Sequence, residues 1–349
     1  MKQNRLGRTD IMVSEYCLGT MTFGTQTDEA DAHGQLDMAL DAGINFLDTA
    51  EMYPVNPIRA ETIGDSEAII GRWIEKSGRR GDYVLATKHS GEGLKAVRDG
   101  APISKDSIAA TVEGSLKRLK TDYIDLYQFH WPNRGSFMFR KNWSFAPWNS
   151  GHTLDDIRAD MESCLEALQE QVDKGNIRAF GLSNEGAWGT AQWLQLSEAG
   201  KGPRVSTMQN EYSMLCRLYD TDLAEMSIYE EVGLIAYSPL ATGLLTGKYQ
   251  GGEIPEGSRM SINDNLGGRV SPRVFAAVEA YLEIARKHDL DPTQMALAWC
   301  KTRPFMASVI FGATSQTQLA HIIAGKDLEL SADVVAEIDA AHKAHPMPY

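Results

Sequence analysis

The fold is most constrained by a regular alternation of short β-branched or aliphatic runs with longer segments of helical spacing. This alternation is typical of a parallel sheet covered by helices. Eight runs have the composition of buried strands, and they comprise residues 16–19, 45–49, 83–88, 123–130, 178–182, 206–210, 234–238 and 308–311. Eight strands separated by helices predict an α/β fold with (β/α)8 TIM-barrel architecture.

Four helices can be placed between the strands from their apolar spacing and end signals. They comprise residues 30–42, 66–76, 104–119 and 153–174. Gly43, Gly78 and Gly175 follow three of them closely, as expected for a left-handed residue beyond a helix end. Before the first strand, a turn at residues 7–10 predicts a hairpin over residues 5–14 that closes the bottom of the barrel.

Two connections are unusually long, and loops of such length usually carry function. Residues 131–152 contain Trp143, Phe145 and Trp148, whereas residues 242–272 are rich in Gly and Ser. The first loop is either a lid over a substrate pocket or a small satellite core. A lid would favour an apolar, partly aromatic substrate.

Size and charge narrow the class of protein. The 349 residues suit one barrel domain over residues 1–349. Lys and Arg number 34 against 47 Asp and Glu, and the formal charge of -13 argues against a nucleic-acid partner. The cysteines are Cys17, Cys164, Cys216 and Cys300. They show no C-x-x-C spacing, which argues against a zinc site or a disulfide framework.

A cytoplasmic location fits these features best. The N-terminal residues form no apolar leader, and the longest apolar tract, residues 232–245, is interrupted by Pro239. That tract is too short to cross a bilayer. We therefore expect no membrane partner, and the sequence leaves the oligomeric state open.

Polar residues directly follow the apolar runs of six strands. They are Asp48, Lys88, His130, Ser183, Asn184, Gln209 and Ser238. Turn chemistry alone favours Ser, Asn and Asp at such positions. In TIM barrels, however, catalytic groups lie at the carboxyl ends of the strands. The concentration of polar residues there predicts an active site at this face.

Three of these polar residues, together with Tyr53, suit carbonyl reduction, which places a hydride on carbon and a proton on oxygen. The phenol of Tyr53 is a suitable proton donor, and an ammonium at Lys88 would lower the pKa of that phenol. Asp48 can neutralise Lys88, and His130 can orient the oxygen or share the proton transfer. Each residue alone is commonly a turn, packing, solvated or core residue. Their occurrence on consecutive strands favours the functional interpretation.

Motifs in this order resemble those of the aldo-keto reductase family. They are Gly-Thr-Met-Thr-Phe-Gly at 19–24, Asp48 with Tyr53, Lys88, His130, Gly-Leu-Ser-Asn at 181–184, Gln209-Asn210 and Ala-Tyr-Ser-Pro-Leu at 236–240. The resemblance extends from the first strand to the last helix. Residues 50–54 and 121–128 look like the Tas-like bacterial branch of this family.

The resemblance implies NAD(P)H-dependent reduction of aldehydes or ketones, small-molecule carbonyl substrates, with Tyr53 as the general acid and no metal. The implied catalytic tetrad is Asp48, Tyr53, Lys88 and His130. The implied cofactor-binding residues are Thr20, Met21, Asp48, Ser183, Asn184, Gln209, Tyr237, Ser238, Pro239, Leu240, Thr242, Gly243, Lys248, Arg259, Gly312, Thr314 and Gln318.

The implied residues fall into three groups along the cofactor. Those for the nicotinamide are Ser183, Asn184 and Gln209 on the carboxamide and Tyr237 on the ring. Residues 238–248 and Arg259 would cover the pyrophosphate, where Gly243, Gly247 and Lys248 offer free N–H groups and a cation. Residues 312–318 would reach the adenosine phosphate, because Thr314 lies near a helix N-terminus.

The last element departs from the family pattern. His321-Ile322 stand where relatives often have Glu-Asn to hold the adenine, and no Lys or Arg lies between Phe311 and Ala320. Lys248 and Arg259 remain available for the additional phosphate of NADP. NADPH is therefore the expected cofactor, and NADH is the alternative.

Other nicotinamide and metal sites fit less well. Residues 91–96 match G-x-G-x-x-A, but Gly100 and Pro102 leave no room for a crossover helix. No tyrosine is followed by Lys four residues later, as a short-chain dehydrogenase requires. His342 and His345 belong to a solvated tail, and no H-E-x-x-H motif occurs.

An alternative of another class is a cofactor-sensing regulatory subunit, because potassium-channel β subunits also resemble reductases. Those relatives tend to have Asn at the position of His130. The histidine favours an enzyme.

Overall fold

A computed structural model describes residues 1–349 and shows a hairpin followed by a closed barrel of eight parallel strands. The hairpin strands are β1 (Gln3–Arg5) and β2 (Met12–Ser14). The barrel strands are β3 (Tyr16–Gly19), β4 (Phe46–Asp48), β5 (Val84–His89), β6 (Ile124–Phe129), β7 (Ile177–Ser183), β8 (Val205–Glu211), β9 (Gly233–Tyr237) and β10 (Met306–Phe311). Each strand pairs with the next, and β10 pairs with β3. The predicted TIM barrel is confirmed.

The helices form a layer around the barrel. They are α1 (Glu29–Asp41), α2 (Asp65–Ser77), α3 (Lys105–Leu119), α4 (Leu154–Asp173), α5 (Ala187–Glu198), α6 (Asp222–Glu230), α7 (Arg259–Ile262), α8 (Val274–Lys287), α9 (Pro292–Lys301), α10 (Gln316–Ala324) and α11 (Ala332–Ala344). Helices α1 to α5 each contact the next helix in the chain, up to α6. The four predicted helices are α1 to α4, and the predicted strand and helix ends are correct to within one or two residues.

Two kinds of contact hold the hairpin and the helix layer in place. The predicted hairpin closes the bottom of the barrel, where Leu6, Ile11 and Val13 join a buried cluster with inward side chains of the strands. On the outer layer, α2 passes so close to the end of α3 that a Cβ at Gly71 would lie 2.1 Å from the carbonyl oxygen of Arg118. Only glycine fits there without displacing backbone.

The two long loops are partly ordered by local structure. In residues 131–152, Phe137 packs edge-to-face on Phe145, but Trp143 and Trp148 are 73% and 80% exposed. The two tryptophans therefore belong to neither a packed satellite core nor a closed lid. Residues 242–272 contain short 3-10 turns and α7.

The four cysteines are unpaired. None of the helices combines the length and the apolar character needed to cross a membrane.

Candidate active site

The carboxyl ends of β4 and β5 bring together the acid, the lysine and the tyrosine. Nζ of Lys88 donates to Oδ2 of Asp48 at 2.6 Å and to the carbonyl oxygen of Thr49 at 2.7 Å. It also lies 3.4 Å from Oη of Tyr53. Lys88 is fully buried and the Asp48 side chain is 3% exposed, so this pair is shielded from water. The predicted neutralisation of Lys88 by Asp48 is present in the structure.

Burial and charge have opposite effects on the pKa values of Lys88 and Tyr53. Burial lowers the pKa of Lys88, but the charges and hydrogen bonds of Asp48 and Tyr53 outweigh it and raise this pKa above its ordinary value. Lys88 is therefore an ammonium at neutral pH. Burial raises the pKa of Tyr53, and the opposing effect of Lys88 does not cancel it. Lys88 therefore lowers the pKa of Tyr53 as expected, but burial outweighs this effect and the pKa stays above its ordinary value.

His130 completes the group just beyond β6. Its ring lies edge-on to that of Tyr53, with centroids 5.8 Å apart. Burial, together with the charge of Lys88, holds the pKa of the imidazole well below its usual range. His130 is therefore neutral at physiological pH, and its Nδ1 is buried without a hydrogen-bond partner. A neutral imidazole can orient a carbonyl oxygen, as the sequence suggested, but it does not add a positive charge.

Gln128 is a polar residue of the site that the sequence analysis missed. It is fully buried on β6, where it pairs in register with Lys88. Its Nε2 lies 3.4 Å from Oδ1 of Asp48, and its Oε1 accepts from Gln209 at 3.2 Å. Gln128 stands two residues before His130, so strand alternation places both on one face of β6. That spacing was the available signal.

The predicted carboxamide-binding residues form a connected network at the ends of β7, β8 and β9. Nε2 of Gln209 donates to Oδ1 of Asp48 at 2.8 Å. Oγ of Ser183 donates to the backbone carbonyl of Gln209 at 2.8 Å, and Oη of Tyr237 donates to Oδ1 of Asn184 at 2.7 Å. The hydroxyl of Tyr237 is thereby fixed while its ring stays partly exposed. The network reaches Asp48 through Gln209.

The segment after β9 has a curved backbone, in which Ser238, Thr242, Gly243 and Gly247 all have positive φ. The N–H groups of Gly243 and Gly247 donate to backbone carbonyls within this segment, at 2.9 and 3.1 Å. The expectation that both N–H groups are free is therefore wrong, because the segment folds into 3-10 turns. Pro239 and Leu240 lie in the same segment.

Two cations near this segment have no carboxylate partner. Lys248 is exposed, and its Nζ lies 5.2 Å from the ring centroid of Tyr249. Nη2 of Arg259 lies 4.0 Å from Sδ of Met21, its only side-chain contact of hydrogen-bonding type. Burial and the charge of Arg269 lower the pKa of Arg259 below its ordinary value. Two cations without carboxylate partners near this segment are suited to an anionic group.

The remaining predicted residues flank these groups. Thr20 is buried after β3, and its Oγ1 donates to the backbone carbonyl of Asp48 at 3.0 Å. Gly312 and Thr314 lead into α10, which contains Gln318. The N–H of Thr314 already donates to Oε1 of Gln318 at 3.0 Å. A phosphate at this N-terminus would replace the amide oxygen of Gln318.

Groups that could bind a metal are not found, since the structure has no cluster of three or more His, Cys, Asp or Glu side chains in suitable positions.

Comparison with known proteins identifies relatives over the full length. The model of the Aldo/keto reductase family matches residues 15–343. Protein tas of Escherichia coli (strain K12) is 44% identical over 352 residues, which covers 100% of this chain and 99% of that protein. The uncharacterized oxidoreductase YrpG of Bacillus subtilis (strain 168) is 31% identical, covering 96% of this chain and 94% of that protein. A probable voltage-gated potassium channel subunit beta of Oryza sativa subsp. japonica is also 31% identical, covering 99% and 98%.

Proposed function

The chain belongs to the aldo/keto reductase family, and on that premise we propose that it reduces aldehydes or ketones to alcohols with a nicotinamide cofactor. The observation that carries the proposal is the position of the buried Lys88 ammonium, 2.6 Å from Asp48 and 3.4 Å from the hydroxyl of Tyr53. A charged lysine between a carboxylate and a phenol in a barrel mouth has a clear use in acid catalysis.

In the proposed reaction, Tyr53 donates its proton to the carbonyl oxygen as negative charge develops there. The ammonium of Lys88 stabilises the phenolate that remains, and Asp48 holds that ammonium in place. The neutral His130 orients the carbonyl oxygen. The reduced nicotinamide, when bound, supplies the hydride to the carbonyl carbon.

Three features support a nicotinamide cofactor in this mouth. Ser183, Asn184 and Gln209 form a hydrogen-bonded network that reaches Asp48 through Gln209, and its donors and acceptors suit a carboxamide. The ring of Tyr237 is fixed by its hydroxyl and is available for stacking. The unpaired Arg259 suits a pyrophosphate or a ribose phosphate.

We further propose that NADPH is preferred over NADH. The additional phosphate of NADPH needs a cation, and both Lys248 and Arg259 lack carboxylate partners. Fluorescence titration with NADPH and NADH tests this preference directly. Equal affinities would contradict it.

Substitution of Tyr53 by Phe tests the proposed function. We expect loss of NADPH oxidation with a panel of aldehydes and ketones, while the dissociation constant of NADPH stays within about threefold, because only the proton donor is removed. Activity close to that of the wild type would refute the assignment of Tyr53.

A regulatory role is the second candidate, because relatives named as probable potassium channel subunits beta match most of the chain. The buried, neutral His130 beside Tyr53 favours an enzyme. Steady turnover with a carbonyl panel would support catalysis, whereas cofactor binding without turnover would support regulation.

We also propose that the protein is cytoplasmic and consists of a single domain. The four cysteines are unpaired, as expected in a reducing compartment. One large hydrophobic cluster includes residues from β3 to α11.

A further inference from the structure

A buried ion pair lies next to the proposed active site but contacts none of its reacting groups. Oε2 of Glu51 accepts from Nη1 of Arg98 at 2.5 Å. The Glu51 side chain is 7% exposed and that of Arg98 is 25% exposed. The pair therefore lies mainly in the protein interior and joins the loop after β4 to the loop after β5.

The position of Glu51 in the chain links the two halves of the site. Glu51 stands two residues before Tyr53, and its Oε1 accepts from the backbone N–H of Ser90 at 2.6 Å. Ser90 in turn stands two residues after Lys88. The carboxylate of Glu51 thus joins the segment that carries Tyr53 to the strand end that carries Lys88.

Arg98 also binds the strand end that carries Lys88. Its Nη2 donates to the carbonyl oxygen of Ser90 at 3.0 Å and lies 3.1 Å from Nδ1 of His89. Val97 packs with Met52 in a small buried cluster against which Tyr53 also packs. The loop after β5 therefore holds the Tyr53 segment through one ion pair and one apolar contact.

The backbone at Arg98 supports a specific role. Arg98 and Asp99 have φ of 47° and 53°, left-handed values that non-glycine residues seldom adopt. Such conformations persist where the surrounding structure holds them, and they occur often at functional sites. Here the turn directs the guanidinium inward to Glu51.

We propose that Glu51 and Arg98 form a clamp that sets the distance between the hydroxyl of Tyr53 and the ammonium of Lys88. This inference rests on the proposed function, because it assigns positioning residues to the same proton donor. The clamp acts through the backbone of the loops after β4 and β5, and neither residue of the clamp touches the substrate.

The test uses E51Q, R98M and R98K in the full-length protein, with D125N as a matched control. Asp125 accepts from the N–H of Leu85 at 2.9 Å and from Arg80 at 2.7 Å, at the opposite end of β5. It therefore has the same kinds of partner and similar burial, but it lies far from Tyr53.

We expect kcat to fall roughly 10- to 100-fold in E51Q and R98M, because small displacements of reacting groups have effects of this size. The dissociation constant of NADPH should change less than about threefold, and R98K should recover part of the lost kcat. The control D125N should keep kcat within about threefold. Thermal unfolding of all variants shows whether each is folded under assay conditions, and E51Q and R98K carry the test if R98M does not fold.

A wild-type kcat in folded E51Q would overturn the clamp while leaving the proposed function intact, provided that Y53F is inactive. Equal losses of kcat in E51Q and D125N would also overturn it, because they would indicate a general effect of stability. An active Y53F would refute the proposed function itself. In the double variant E51Q/R98M, a loss of kcat no larger than that of the worse single variant would support a clamp that acts as one unit. Additive losses of kcat would contradict it.

Discussion

Replacement of Lys88 by Met removes the ammonium at the centre of the proposed active site. Its Nζ lies 3.4 Å from Oη of Tyr53, so at an effective dielectric constant of about 20 it favours the phenolate by about 5 kcal/mol at most. Asp48 opposes part of this effect, because its charge raises the pKa of Tyr53. Since about 1.4 kcal/mol corresponds to a factor of ten in rate, we expect kcat to fall roughly 100- to 4,000-fold.

The same substitution affects stability, because it leaves the 3% exposed carboxylate of Asp48 without its partner. Breaking such a pair costs about 3–5 kcal/mol of unfolding free energy. The double variant D48N/K88M removes the uncompensated charge and should recover most of this loss without recovering kcat. This comparison separates the catalytic role of the ammonium from its contribution to folding.

The assay combines NADPH oxidation with an active aldehyde, fluorescence titration of NADPH, and urea unfolding. The reasoning predicts a loss of kcat in both variants and a loss of stability mainly in K88M. A kcat in K88M within about threefold of the wild type, with an unchanged pH profile, would refute the role of Lys88 in tuning Tyr53.

Three further predictions follow from the packing and the charges. Burial and the charge of Arg98 lower the pKa of His89 from 6.5 to about 3, so the unfolded chain binds a proton that the folded chain excludes. Stability should therefore decrease as pH falls below about 6.5, by about 2 kcal/mol between pH 7 and 5, and urea unfolding of His89→Gln should lack this part of the decrease. Gly71→Ala should lower the free energy of unfolding by more than about 2 kcal/mol despite the better helix propensity of Ala, because its Cβ would lie 2.1 Å from a backbone oxygen. The control Gly114→Ala should be neutral or stabilising in thermal unfolding, since its Cβ would meet only a flexible side chain at 3.1 Å. Arg259→Met should weaken NADPH binding at least tenfold and NADH binding less, and equal weakening would show that Arg259 does not contact the additional phosphate.

Much of the site was predictable because residues at strand ends of a barrel converge on one face. Asp48, Lys88 and His130 follow consecutive strands, and the structure brings them together around Tyr53. Gln128 was also predictable from strand alternation with His130, but the strand-end rule selects only the residue that closes each apolar run. Its contact with Asp48 joins two strands of the closed barrel, and no local pattern contains it.

Other features depended on details that local patterns do not contain. Gly243 and Gly247 suggested free N–H groups, but the 3-10 turns of the loop use both. The link between Glu51 and Arg98 joins residues of two loops, and no motif marked it. Both features concern loop conformation, which depends on contacts with distant parts of the chain.

The sequence by itself determined the number and order of the strands, the closing hairpin and the face that bears the polar residues. These follow from hydrophobic periodicity and turn chemistry, which act over neighbouring residues. Only the tertiary structure decided how deeply Tyr53, Lys88 and His130 are buried, and hence that burial raises the pKa of the phenol, that the amine stays charged and that the imidazole stays neutral. The physical reason is that desolvation and charge interactions depend on distances between residues remote in sequence, and closure of the barrel sets those distances.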